Sequence, residues 1–304
     1  MTTERLRVWI GFSVVSMVWG STWLAIKIGL ATVPPLIAAG VRFAVASLLL
    51  GIIVYLRRVP VPFTSDARKV YLSLGILSIS IPFALAYWGQ QFIPTGLSSV
   101  LFAAYPFWVT VFAHFLLQGE RLSLFKIAGV VSGFLGVCII FWGDVEWTDP
   151  RSVEGMVAVL VSCVLQAFSL VLVKKYGQPI SPLVMNLAGM LIGTFVLLGA
   201  GFVSESGLPI VWTGPALLSV LYLATVGSVL AFVTYYWLLK RIAAVYLSLT
   251  SFINPIVAVI LGAVVLGERL PPSVFGGAVL VLLGILTANG KELVVSLRRN
   301  KECS

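Results

Sequence analysis

The chain has 304 residues, of which 60% are hydrophobic and only 10% charged, and its mean hydropathy is +1.07. Soluble domains carry about 25% charged residues, so an aqueous globular fold of any size is excluded. The net charge of +9 does not point to nucleic acid, because the basic residues lie in short clusters between apolar runs, as membrane-flanking charges do.

A helix that crosses the hydrocarbon core needs about 20 mostly apolar residues. Ten segments meet that requirement. The first, 8–30, follows Arg5 and Arg7 like the core of a signal peptide. It reaches Leu30 with no A-x-A-like cleavage site, which predicts a retained span. The second, 34–56, carries Arg42 in its interior. The third, 69–91, ends on Tyr87, Trp88, Gln90 and Gln91, and the fourth, 95–117, is interrupted by Pro106. The fifth, 124–142, bears Gly129, Gly133 and Gly136. An acidic connection with Asp144, Glu146, Asp149 and Glu154 follows. Five further spans are then expected over 154–176, 182–202, 215–239, 245–266 and 272–288, with Pro255 inside the ninth. Cys138 and Cys163 fall inside apolar segments and Cys303 in the tail, so there is no disulfide framework. One histidine and no cysteine pair at ligand spacing predict neither a metal site nor a cofactor.

The two halves say nearly the same thing. Trp19, Lys27, Pro35, Tyr87-Trp88, Pro106 and Gly119-Glu120-Arg121-Leu122 are answered by Gln166, Lys174, Pro182, Tyr236-Trp237, Pro255 and Gly267-Glu268-Arg269-Leu270, always 147 to 149 residues later. Five is odd, so the second copy must enter the membrane the other way up. The expected fold is an all-α integral membrane protein of ten transmembrane helices in two inverted five-helix repeats, 1–147 and 148–290, with a basic cytoplasmic tail at 291–304. Inverted repeats of this kind are typical of secondary transporters, whose site lies near the midplane between the repeats. With the N-terminus inside, sixteen Lys and Arg residues fall on the inner side and three (Lys27, Arg151, Arg269) on the outer. Basic residues concentrate on cytoplasmic loops, so both termini are expected in the cytoplasm.

These residues carry a resemblance. Trp19-Gly20-Ser21-Thr22-Trp23 with Lys27, Pro35 with Arg42-Phe43, the mid-helix prolines and the Gly-Glu-Arg-Leu turns resemble the EamA-domain branch of the drug/metabolite transporter superfamily along nearly the whole chain. The resemblance implies a secondary carrier in the cell membrane, often an exporter of amino acids or other small metabolites. Two departures make the half-sites chemically unequal. Gln166 stands where the first repeat has Trp19, and Gly189 where it has Arg42.

Aromatic and amide side chains suit pockets for small organic molecules, which are mostly apolar with sparse polar anchors. The candidate substrate lining is Trp19, Trp23, Tyr87, Trp88, Gln91, Tyr105, Trp108, Gln166, Asn186, Tyr236, Trp237 and Asn254, joined by Arg42. A central arginine costs about 2.5–3.5 kcal/mol on insertion scales, so Arg42 must face protein, water or an anionic substrate. A helix-to-helix clamp and a substrate anchor both fit it. Pro106 and Pro255 free the carbonyls of Phe102 and Ser251, and paired interruptions point to a binding site; packing kinks are the plainer reading. Glu120 and Glu268 read as turn residues with a gating role as the alternative. His114 near the inner end of the fourth span reads as a packing residue or a proton relay. Lys27 and Lys174 are expected to snorkel to the interface. The glycine faces of the fifth and tenth spans suit close helix packing or a homodimer contact. A membrane-embedded enzyme acting on a lipid or small metabolite is the rival function. It lacks paired acids in the spans and any G-x-S-x-G or Walker-type stretch.

Overall fold

The computed structural model describes residues 3–117 and 150–269, with scattered positions in 128–139 and 272–287. Every regular element among them is helical, and eight helical stretches are long and apolar enough to cross a membrane. They match the expected spans one to four and six to nine. The fifth and tenth spans lie largely outside the described residues, Glu120 and Gly133 among the positions left out. Where both are described they meet: Ser132 Oγ donates to Leu280 O at 3.1 Å.

Helix starts follow local chemistry. Thr64 and Thr213, 149 positions apart, each cap a helix by accepting from a backbone N–H three residues on, Ala67 N and Ala216 N. Proline occupies the first turn of Pro35–Leu56, Pro182–Ser204 and Gly214–Tyr222, where its missing N–H has no helical role. Large apolar side chains such as Leu48, Phe115, Phe195 and Val264 are exposed around the bundle. In a lipid solvent these faces need no cover.

Helix contacts come in matched pairs when the halves are exchanged. The first span packs on the eighth and ninth, and the sixth packs on the third and fourth. The second span meets the eighth as the seventh meets the third, while the second and seventh pack extensively on each other. Glycine allows the closest of these approaches. A Cβ on Gly155 of the sixth span would stand 2.7 Å from the Gly89 carbonyl oxygen at the end of the third.

Among the eight described spans, four depart from regular α-helix. The fourth breaks into Thr95–Phe102 and Tyr105–Leu116, and the ninth runs as Ala244–Ser248, a 3₁₀ turn Leu249–Phe252, and Ile253–Leu266. Both breaks lie just before the expected prolines, which lack the N–H to continue the ladder. The third and eighth spans, expected as regular helices, are instead π-helical over Ser73–Ser80 and Leu223–Leu230. The Ser80 hydroxyl donates to Gly75 O at 2.6 Å, the same five-residue reach as a π-type backbone bond.

The snorkelling expected of Lys27 and Lys174 gives way to helix capping. Lys27 Nζ donates to the carbonyls of Gln90 (2.7 Å), Gln91 (3.3 Å) and Ile93 (3.0 Å) at the end of the third span. Lys174 Nζ does the same at the eighth span, donating to Leu239 O (2.5 Å) and Ile242 O (2.9 Å). Terminal carbonyls lack intrahelical partners and carry partial negative charge, so an ammonium there is favoured over one in the headgroups. Lys27→Met and Lys174→Met are expected to lower stability by about 1.5–3 kcal/mol each, the range for hydrogen bonds to charged groups. Thermal unfolding in detergent checks this; an unchanged midpoint for both would return these lysines to the interface.

Candidate functional site

A cavity opens between the two halves, beside the breaks in the fourth and ninth spans. Its wall includes Trp19, Thr22, Trp23 and Ile26 from the first span and Arg42 from the second. Ser78, Phe83 and Ala86 come from the third span, Phe102 and Tyr105 from the fourth, and Gln166 from the sixth. Phe232, Tyr235 and Tyr236 from the eighth span and Thr250, Ser251 and Asn254 from the ninth complete it. The space open to water is about 70 Å³, room for a few waters or a small organic group.

Gly20 sets the wall's geometry. A Cβ there would lie 2.6 Å from Val257 and 3.2 Å from Asn254 O, so glycine lets the first span press against the ninth beside its break. Trp19 and Trp23 flank that contact and turn inward. Trp19 Nε1 donates to Gly227 O at 3.3 Å, and its ring packs on Phe232 and Tyr235 at 5.2 and 4.6 Å between centroids. Trp23 packs edge-on to Phe102 at 5.6 Å, and Phe102 stacks on Tyr105 at 5.5 Å. The Tyr105 and Tyr235 hydroxyls, one from each half, are 3.4 Å apart.

Arg42 is only 1% exposed. Its Nε donates to Ser228 Oγ (2.9 Å), Nη1 to Tyr87 Oη (3.2 Å) and Nη2 to Gly227 O (3.5 Å). Two of these acceptors belong to the π-helical stretch of the eighth span, so irregular backbone supplies the partners that no carboxylate supplies. Phe43 and Phe83 flank the guanidinium at 5.0 and 4.9 Å. Tyr87 thus holds Arg42 from behind without lining the cavity.

Of the other sequence candidates, Gln166 donates to Ser162 Oγ at 3.2 Å. Asn254 is 4% exposed, and its amide, oriented to satisfy its neighbours, donates to Thr250 O (3.1 Å) and Ser16 O (2.9 Å). Pro106 and Pro255 are buried just behind the breaks. Besides Tyr87, five candidates are not brought to the cavity. Trp88 packs on Phe92, exposed Gln91 donates back to Trp88 O, and Trp108 packs on Phe107 and Phe112. Asn186 donates to Pro182 O one turn back, and Trp237 stacks under Arg241 at 3.9 Å. His114 sits at the end of Tyr105–Leu116, beside Phe115.

Glu268 takes a capping role. Its carboxylate accepts from Thr95 N (2.9 Å) and Gly96 N (3.4 Å) at the start of the fourth span, after a turn at Gly267 with φ 67°. Glu205, not singled out in the sequence, caps the second span alike, accepting from Leu36 N (2.9 Å) and Ile37 N (3.0 Å). Carboxylates are favoured at helix N-termini. The cavity residues missed by sequence reading are small or plainly apolar, such as Thr22, Ser78 and Phe83. Tyr235 was the one with a signal, since it adjoins the repeated Tyr236-Trp237.

The family model for EamA-like transporters matches this chain twice, over residues 7–142 and 153–290. The chain belongs to the EamA-like transporter family. As an EamA-like protein it is a membrane transporter. Its relatives include the uncharacterized transporter YoaV of Bacillus subtilis, 29% identical over 92% of this chain and 96% of its own length. YvbV of the same organism is 30% identical over 90% and 89%. The uncharacterized inner membrane transporter YedA of Escherichia coli K12 is 29% identical over 84% and 81%. A solved crystal structure at 21% identity shares the EamA-like chain's fold, with a TM-score of 0.68 over 93% of this chain and 96% of that one.

Proposed function

We infer that this protein is a secondary transporter of the inner membrane, exporting amino acids or related small amphipathic metabolites by alternating access between two inverted five-helix repeats. The observation that carries the reading is the cavity's composition from both halves. Equivalent positions face each other across it: Trp19 and Gln166, Ala86 and Tyr235, Tyr105 and Asn254. A site shared in this way is exposed to one side or the other as the halves rock. The breaks before Pro106 and Pro255 are the flexible points, and the Glu268 cap between the ninth and fourth spans is a contact that such rocking strains.

Mixed aromatic and amide walls favour small amphipathic cargo. The test is an efflux screen in vesicles reconstituted with the purified chain, with and without a pH gradient. The reading expects efflux of at least one amino acid or metabolite of that class without ATP, and the gradient arm tells proton coupling from uniport. Absence of efflux for the whole class would contradict it.

Orientation is a second, separable part of the proposal. With both termini inside, single cysteines at Asp66, Gln178 and Ser296 resist an impermeant thiol reagent in intact cells, and those at Asp149 or Ser206 react. Labelling of the first group would reverse the orientation.

A further inference from the structure

Arg42 is a buried cation in the cavity wall whose hydrogen-bond acceptors are all neutral: a serine hydroxyl, a tyrosine hydroxyl and a carbonyl. Among the described residues no Asp or Glu lines the cavity, and the ion pairs there, Lys69–Asp66 and Arg241–Glu4, lie elsewhere. A guanidinium stays protonated in proteins. The described cavity wall therefore carries a positive charge with no acidic side chain beside it, in surroundings where burying a charge is costly. Three of the five N–H groups that a guanidinium carries are used, one on each nitrogen. One N–H remains on each terminal nitrogen, the pair that grips a carboxylate bidentately.

We propose that the cargo is a small monocarboxylate anion, its carboxylate seated on Arg42 and its apolar body lying among Trp19, Trp23, Phe102 and Tyr235. This rests on the transport reading of the cavity and narrows it. A monoanion neutralises the cavity. A zwitterionic amino acid leaves the net charge where it was and adds an ammonium, for which the wall offers ring faces and neutral oxygens but no carboxylate. A dianion overshoots.

The charge also sets the direction. Each cycle of monoanion uniport moves one negative charge, and an interior-negative potential drives it outward. Since about 59 mV is tenfold for one charge, 100 mV favours export by about fifty-fold. No proton-carrying carboxylate in the cavity is then required.

The experiment compares matched series: 2-hydroxy acids from lactate to 3-phenyllactate, the corresponding amino acids, and the corresponding neutral amides. Thermal midpoints of the detergent-purified full chain are read with each compound. Efflux from proteoliposomes is then read with an imposed potassium-diffusion potential of either sign. The expected result is that at least one hydroxy acid raises the midpoint and leaves ten-fold or more faster than its amino acid and amide. That efflux accelerates with an interior-negative potential and slows when the sign is reversed. In Arg42→Gln the preference for the anion over its amide falls to within two-fold, whereas Arg42→Lys keeps a preference. If Arg42→Gln does not fold, the wild-type series and Arg42→Lys decide.

Equal or better transport of amino acids, or efflux indifferent to potential, overturns the anion proposal and leaves the transport reading standing. No transport of any of the three series overturns both.

Discussion

Arg42→Ala is expected to abolish transport while leaving a folded protein in the membrane. The truncation removes hydrogen bonds to Ser228, Tyr87 and Gly227. Leaving such buried groups unpaired costs about 1–3 kcal/mol each at most. Against that, it removes a buried charge that no carboxylate compensates, and losing an unpaired charge is a gain. The two terms oppose, so the thermal midpoint shifts modestly. Transport has no such compensation, because the only cation among the described residues of the cavity wall is gone. Arg42→Lys retains a fraction, since an ammonium keeps the charge but cannot satisfy three divergent acceptors with a planar fork. Efflux assays beside thermal unfolding check both halves of the expectation. A folded Arg42→Ala protein that transports at the original rate would remove both the clamp and the anchor role.

The second large effect is structural. Gly155→Leu places a side chain where even a Cβ lies 2.7 Å from the Gly89 carbonyl oxygen, and backbone cannot swing aside as a side chain can. The third and sixth spans must separate, and since they supply Ser78, Phe83, Ala86 and Gln166 to the cavity, the site is disturbed with them. Overpacking of this kind costs about 1–3 kcal/mol, occasionally more, and the upper end is expected here. Gly199→Ala is the control. Nothing lies within 4 Å of a Cβ at that helical position, so the higher helix propensity of alanine predicts an unchanged or slightly raised midpoint. Equal midpoints for the two variants would mean that the crossing is not tight.

The sequence made the described helices legible because each depends on local properties: a long apolar run, a proline or threonine at the start, and a short polar turn. The breaks in the fourth and ninth spans were also legible, since Pro106 and Pro255 cannot donate to a helix ladder wherever they fold. The π-helical stretches were not. Ser73–Ser80 and Leu223–Leu230 contain no proline and have ordinary apolar composition, and their geometry answers to neighbours across the bundle. Arg42 stood out by its cost in a span, but two of its three acceptors come from the other half, 185 and 186 residues away. Trp88 and Trp237 illustrate the reverse error of emphasis. Repetition marks them as strongly as Tyr87 and Tyr236, yet one position along a helix rotates by about 100°: Tyr87 bonds the cavity's Arg42 and Tyr236 lines the wall, while both tryptophan rings pack elsewhere. Lys27 and Lys174 were legible as paired and were assigned to the interface because hydropathy reports depth, not the carbonyls of an adjoining helix end.

Alternating access around this cavity is most directly tested without knowing the cargo. Ser251, on the broken ninth span, lines the cavity and is 3% exposed. A Ser251→Cys chain with Cys138, Cys163 and Cys303 replaced by serine is treated with an impermeant thiol reagent in right-side-out and in inside-out vesicles. The account predicts that the introduced cysteine reacts from both faces, while a cysteine at exposed, lipid-level Phe195 reacts from neither. Reaction from one face only, under every gradient imposed, would make the cavity a one-sided pocket and contradict transport through it.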